Sequence, residues 1–462
     1  MKNLLFYNIK KMGVKALLPH LSRSEKLQNY FVLKVRRTFH NYIMDISRKE
    51  NWSDAFLKQR LVTCDSFTES IKRVLPEVNE KTRLKLLQNF FYNQTFIRVE
   101  RARVYKEKHG EEPPQFLLIS PSMACNLRCT GCWASEYEVN KGLSREKVKD
   151  ILHEAKEEMG IHFIVLTGGE PTSWPPLWEI VEEHPDIIFM PYTNGQIFGG
   201  KKGEEYVRKI AELGNFFPCI SIDGDENTTD ARRGKGVYQK TKRAMEMLNA
   251  HGVLFGFSAT HTRENHEALV QNGFIEDMVS RGAKIGWFFN YVPLGDNPNP
   301  ALSPTPEQRV ERFRKIESVR KQRLPLILYD FWMDGPYTNG CVGWGRKYVH
   351  ITADGDIEPC AFIHFAKDNI HEKKLAECVN SDWLKEARAR QPFNNNLFSP
   401  CPYIDNCGSL RDLVEKYEVP GTHVGAENCV EGPIHEAVMK NGDEFNAYLE
   451  KIGLTSEGAI HP

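Results

Sequence analysis

Six short apolar runs, at 116–120, 163–167, 187–192, 217–222, 253–259 and 285–292, constrain the fold of this 462-residue chain more than any other feature. Each is continuously apolar instead of alternating, as strands covered on both faces require. Helical candidates lie between them at 144–158, 204–213 and 241–251. Six strand and helix alternations imply an α/β fold, either a barrel or an open sheet with right-handed crossovers. In a parallel barrel the chemistry sits in the loops that follow the strands.

What flanks this core reads differently. Before residue 112 no strand alternation occurs. Leu5, Ile9, Met12 and Ala16 recur at helical spacing, with Lys2, Lys10, Lys11 and Lys15 elsewhere on the cylinder. Ser22 with Glu25 and Ser66 with Glu69 have capping-box spacing. Residues 1–112 are therefore expected to form a helical domain, and 113–300 the barrel. The Pro- and Asn-rich stretch 297–304 is a linker, after which Thr305 and Pro306 suit the start of a helix running to Arg323. Linker and helix together occupy 301–335. A small α+β domain with six cysteines is expected at 336–432, with a hairpin signal at 347–352 and 356–360, and a helical tail at 433–462.

Composition excludes several classes. With 41% hydrophobic and 26% charged residues the chain is neither disordered nor collagen-like, and no apolar run approaches the roughly 20 residues that cross a bilayer. Eleven cysteines, three of them within eight residues, point to metal thiolates in a reducing cytosol instead of disulfides. Zero net charge conceals an asymmetry. Residues 1–114 hold 23 Lys and Arg against 12 acids, and the remainder 38 against 49.

Cys125, Cys129 and Cys132 stand in CNLRCTGC, directly after the first expected strand. Three thiolates on one loop can hold three irons of a four-iron cluster and leave the fourth iron open. A structural zinc would want four protein ligands, and neither His nor Cys occurs in the next 20 residues. The loops after the second, third and fourth strands carry Gly168-Gly169-Glu170-Pro171, Tyr192-Thr193-Asn194-Gly195 and Ser221-Ile222-Asp223-Gly224. Any one of them reads equally well as a plain turn, but together they place glycine beside a polar side chain at one end of the barrel.

On these motifs, residues 115–430 resemble the radical SAM superfamily, and within it the members with a SPASM or twitch extension. The resemblance implies a partial (β/α)6 TIM-type barrel with a cluster-binding C-terminal domain. It also implies that S-adenosylmethionine binds the open iron of a 4Fe-4S cluster held by Cys125, Cys129 and Cys132, and that one electron cleaves it to a 5′-deoxyadenosyl radical that takes a hydrogen atom from substrate. Gly168, Gly169 and Glu170 match the motif that holds the cofactor's amino group. Ser221 and Asp223 match a ribose and carboxylate strand end, and Arg233 an arginine facing the cofactor carboxylate. Asn194, Ser258 and Val292 would lie near ribose or adenine. The family's aromatic before the third cysteine is Gly131 here, with Trp133 just after it. An electron donor such as flavodoxin or ferredoxin is also implied.

The C-terminal cysteines follow the SPASM pattern in part, with Phe398 and Arg411 where two of its cysteines would stand. One auxiliary 4Fe-4S cluster is expected on Cys341, Cys360, Cys401 and Cys407, with His364 or Cys429 as the alternative fourth ligand. Cys407 and Cys429 read equally as core residues. Cys64, Cys219 and Cys378 lie outside every motif and read as core thiols.

The basic N-terminal helices either pack on their neighbours or dock on an anionic membrane surface. Nothing pairs with their charge as a nucleic-acid module. The sequence thus reads as a cytoplasmic radical SAM enzyme, peripheral on the inner face of the membrane if the basic helix docks there. The basic start leans the substrate towards a lipid. A peptide-modifying maturase is the alternative, set back by the lack of a winged-helix start. A non-catalytic iron–sulfur or zinc protein is the rival from another class.

Overall fold

The computed structural model describes residues 2–50, 54–135, 142–271, 273–295 and 297–456. The first quarter is helical throughout these residues: α1 (Lys2–Arg23), α2 (Glu25–Glu50), α3 (Asp54–Glu77), α4 (Glu80–Lys85), a π-helical segment Leu86–Arg98, and α5 (Val99–His109). A 13-residue π segment is uncommon, since such turns usually occur singly. Its Leu87, Tyr92 and Phe96 close a small core with Leu18 and Leu21 of α1.

Two details of this region differ from the sequence reading. The apolar face of α1 that packs is Val14, Leu18 and Leu21, whereas Ala16 is exposed. The side chains of Leu5, Ile9 and Met12 lie outside the described residues. Neither capping box forms where its spacing suggested. The helix break falls at Ser24, whose Oγ accepts from Leu27 N at 3.4 Å, while Ser22 Oγ donates to Pro19 O. Ser66 sits inside α3, where its hydroxyl donates to Arg320 O on a distant helix. A serine three residues before a glutamate is compatible with a helix interior whenever the hydroxyl finds a carbonyl there.

The barrel strands are β1 (Leu117–Ile119), β2 (Phe163–Leu166), β3 (Ile188–Thr193), β4 (Cys219–Ser221), β5 (Gly256–His261) and β6 (Ile285–Asn290). All pair in parallel and in chain order, as a partial (β/α)6 barrel requires. Beyond β6 the sheet adds a parallel strand, β7 (Ile327–Asp330), inside the stretch read as linker and helix. Beyond β1 it adds β8 (His350–Ile351), parallel to β1, and β9 (Ile357–Glu358), antiparallel to β8. The expected hairpin therefore forms and also extends the barrel sheet into the C-terminal region. One hydrophobic core runs without a break from Leu117 and Phe257 to Trp344 and Trp383.

Local signals set the helix boundaries between strands. Helix Arg145–Met159 opens on Ser144, whose side chain accepts from Lys147 N, and ends at Gly160 in the left-handed region. Helix Pro306–Lys321 opens with a full capping box between Thr305 and Gln308. The C-terminal helix Gly432–Lys451 folds back on it through Val310, Phe313, Phe445 and Leu449. Val74 and Val78, at the end of α3 and just beyond it, pack on Ile188, Phe217 and Leu254, which lie at the amino ends of β3, β4 and β5. The helical region therefore covers the bottom of the barrel and leaves the carboxyl ends of the strands for the site. Among the described residues, no helix is long and apolar enough to cross a membrane.

Candidate functional site

The loop after β1 carries Cys125, Cys129 and Cys132, all half-buried. It is held by the loop after β2: Gly169 N donates to Ser122 O at 3.1 Å and Glu170 N to Ala124 O at 2.8 Å. The approach requires glycine. A Cβ on Gly169 would lie 2.3 Å from Ala124 O, and one on Gly168, at φ +100°, would lie 2.5 Å from Ser122 O. On the other side Thr130 N donates to Arg232 O at 2.9 Å. Burial pushes the Cys125 thiol up to about 11 and also raises Cys129, where Arg233 and Arg232 pull in the opposite direction. Thiols so placed are deprotonated by a bound cation, and two arginines next to Cys129 suit an anionic cluster. Among the described residues no three donors converge on a single metal ion, but in an iron–sulfur group each thiolate takes a different iron, and three thiols on one loop have the donor chemistry for that.

The other residues singled out in the sequence surround this loop. Glu170 is 3% exposed. Its carboxylate accepts from Thr172 N and Oγ1, from Thr193 Oγ1 at 2.7 Å and from Asn194 N at 2.7 Å, so it ties the second loop to the third. Burial raises its pKa against those four hydrogen bonds. Asn194 Nδ2 donates to Asn126 Oδ1 at 2.7 Å and so bonds the third loop to the cysteine loop. Ser221 and Ser258 meet at 3.2 Å across the ends of β4 and β5. Val292 is buried in the core after β6.

Asp223, fully buried, accepts from Arg233 Nε at 2.6 Å, Arg232 Nη1 at 3.0 Å and Thr260 N at 2.8 Å. Burial alone would raise its pKa, but the two arginines outweigh it and hold Asp223 at about 2. Asp223 and the thiols of Cys129 and Cys132 all raise the pKa of Arg233 against burial. The sequence reading named Arg233 alone. Arg232 shares the same carboxylate, and its adjacency to Arg233 was the signal available in the sequence.

Gly131, at φ +64°, faces an aromatic from elsewhere in the chain: an added Cβ would lie 2.4 Å from Tyr291 Cε2. Tyr291 follows β6 directly, is 2% exposed and accepts from Asn299 N. No local sequence signal links it to the cysteine loop. Trp133 is half-buried, edge-on to His350 at 5.8 Å and to Phe362 at 5.9 Å.

In the C-terminal region Cys341, Cys360 and Cys401 influence one another electrostatically, and burial pushes each to about 12. Of the three candidates for a fourth ligand, Cys407 is the one among the described residues that interacts with Cys401. Cys429 lies against the Tyr403 hydroxyl, and His364 packs against His423, ring centres 4.2 Å apart and planes tilted by 39°, beside Glu358. Phe398 is core, packed on Phe313, and Arg411 is exposed and paired with Glu415, so neither position holds a metal donor. Cys64, Cys219 and Cys378 are buried. A buried chain of groups links the two regions: Ser120 Oγ meets His350 Nε2 at 2.7 Å, and His350 Nδ1 meets Glu358 at 2.6 Å.

Residues 119–271 match the radical SAM superfamily, and residues 341–408 match the SPASM iron–sulfur cluster-binding domain. An AdoMet-dependent heme synthase of Oleidesulfovibrio alaskensis is 25% identical over 340 residues, covering 66% of this chain and 84% of the relative. The mycofactocin maturase MftC of Mycolicibacterium smegmatis is 27% identical over 327 residues, covering 65% and 78%. Among solved structures, Streptococcus suis SuiB bound to the precursor peptide SuiA shares the fold, with a TM-score of 0.52 at 21% identity, covering 64% of this chain and 71% of that one.

Proposed function

We propose, for a chain that belongs to the radical SAM superfamily and carries a SPASM domain, that the substrate is a peptide. The chain is an enzyme whose cofactors are S-adenosylmethionine and 4Fe-4S clusters. When bound, they supply a 5′-deoxyadenosyl radical that removes a hydrogen atom from substrate. In our reading Cys125, Cys129 and Cys132 hold the cluster that binds the cofactor, and Cys341, Cys360, Cys401 and Cys407 hold the auxiliary one. Gly168 and Gly169 bring the backbone against the cysteine loop. Glu170 fixes the third loop to the second through Thr193 and Asn194. Asp223 orients Arg233 and Arg232 beside Cys129, where they offset anionic charge.

The likeness to a maturase carries the substrate class, and a fold shared with a protein seen bound to a precursor peptide supports it. This favours the peptide reading over the lipid lean, which rested on the basic face of α1. The part of α1 whose side chains are described packs on the π segment. The likeness to a heme synthase supports a second reading, a cofactor precursor as substrate. Incubation of the reconstituted enzyme with candidate precursor peptides encoded near it tests the choice. Peptide-dependent 5′-deoxyadenosine with a mass change in the peptide supports the proposal. Turnover of a porphyrin in the absence of any peptide effect overturns it.

A further inference from the structure

Tyr348 stands two residues before β8 and is 2% exposed. Its ring stacks on Phe116, the residue before β1, with centres 5.1 Å apart and planes 13° from parallel. Backbone bonds hold the pair in place: Gln115 N and Phe116 N donate to Lys347 O at 2.7 and 3.2 Å, and Leu118 N donates to Val349 O at 3.1 Å. The ring is therefore fixed by the register of β1, the strand that leads into the loop of Cys125. At its end the hydroxyl lies 2.9 Å from Cys360 Sγ, which is also buried.

A phenylalanine would stack on Phe116 equally well, so ring packing does not account for the hydroxyl. A buried phenol needs a partner, and a neutral thiol is a weak one. A thiolate is different. It can only accept, so the phenol must donate, and a hydrogen bond to an ionised group is roughly twice as strong as a neutral one. The surroundings of the three neighbouring thiols also favour the ionised form. The amides of Gly343 at Cys341, of Phe362 at Cys360, and of Tyr403 and Ile404 at Cys401 each oppose the effect of burial. Arg346 does the same at Cys341, whereas Glu358 and Cys401 act against ionisation of Cys360. It is at this least favoured sulfur that the hydroxyl is placed.

We propose that Tyr348 tunes the auxiliary cluster by donating a hydrogen bond to the Cys360 thiolate, which raises the reduction potential of the cluster. Hydrogen bonds to the sulfurs are one of the factors that set such potentials, and a donor stabilises the reduced, more negative form over the oxidised one. The proposal rests on the reading of Cys360 as a cluster ligand and adds to it the residue that adjusts the potential.

An anaerobic redox titration followed by electron paramagnetic resonance tests it. The protein is the reconstituted full chain with Cys125→Ala, Cys129→Ala and Cys132→Ala, in which the auxiliary cluster is seen alone. Adding Tyr348→Phe should leave about four irons per chain and an unchanged melting temperature. At the midpoint potential of the background protein, the ratio of reduced to oxidised cluster should fall about tenfold, which is about 59 mV for one electron. Electron–nuclear double resonance gives a second readout, because exchange into deuterium oxide should remove one proton coupling that the Tyr348→Phe protein already lacks. An unchanged midpoint, or a full set of exchangeable couplings in the variant, overturns the proposal and leaves the ligand assignment standing. Loss of iron on Tyr348→Phe would make the residue structural and overturns the tuning role. Absence of any cluster from the background protein overturns the ligand assignment, and the proposal with it.

Discussion

Gly169→Ala tests how the second loop supports the first. The new Cβ would lie 2.3 Å from Ala124 O and 2.4 Å from Met123 O, where ordinary contact begins near 3.4 Å. The shortfall is about 1.1 Å, the difference between 3.4 and 2.3 Å, and both oxygens belong to backbone that leads directly into Cys125. Gly169 has no positive φ, so the effect is steric and not conformational. A displacement of about 1 Å at a reacting centre costs on the order of 100-fold in rate. At about 1.36 kcal/mol per factor of ten, that corresponds to about 2.7 kcal/mol of barrier. The assay is 5′-deoxyadenosine formation under anaerobic reduction, with thermal unfolding measured in parallel. The rate should fall about 100-fold while the melting temperature changes little, because the clash is with a loop and not with the core. Gly13→Ala is the control: nothing lies within 4 Å of its Cβ in the interior of α1, and it should stabilise by up to about 1 kcal/mol without changing the rate. A Gly169→Ala enzyme within twofold of the parent rate would refute the argument that this contact sets the position of Cys125.

Three further outcomes are expected. Asp223 has its pKa lowered from 3.8 to about 2, so its contribution to stability is complete above pH 4 and is lost as pH falls through about 2. Asp223→Asn should therefore cost about 2–3 kcal/mol at neutral pH, at about 1.36 kcal/mol per unit, and an unchanged urea midpoint at pH 7 would contradict the pairing with Arg233 and Arg232. Cys407→Ala should remove iron from the auxiliary cluster and Cys429→Ala should not, as read by iron analysis in a Cys125, Cys129 and Cys132 to Ala background that retains about four irons per chain. The opposite pattern would make Cys429 the ligand. Leu18→Ala with Leu21→Ala should destabilise by about 2–5 kcal/mol per residue and leave sedimentation with anionic liposomes unchanged. A stable double variant that no longer binds liposomes would restore the membrane role of the basic helix.

The six barrel strands were legible because a parallel strand covered on both faces needs a continuous apolar run, and each of the six runs overlaps one, β3 and β5 running one and two residues past theirs. Ser144 and Thr305 were legible as helix starts because a capping side chain acts within three residues of its own position. Contacts between distant segments left no such trace. Ser66 matched a local motif, but its hydroxyl bonds to Arg320 O, 254 residues away. The pairing of β8 with β1 depends on a two-residue strand, too short to show periodicity. Tyr291 against Gly131 is a complementarity of ring and absent side chain that appears only when the loop after β6 is folded over the loop after β1. Motif residues were found by type, while their partners in space, such as Arg232 with Asp223, follow from the fold.

The most direct test of the central claim is reductive cleavage of S-adenosylmethionine by anaerobically reconstituted protein, measured as 5′-deoxyadenosine against the variant with Cys125, Cys129 and Cys132 all replaced by Ala. The account predicts 5′-deoxyadenosine from the parent enzyme and none from the variant. Equal cleavage by the two proteins, or none by a parent enzyme that carries its full complement of iron, would contradict it.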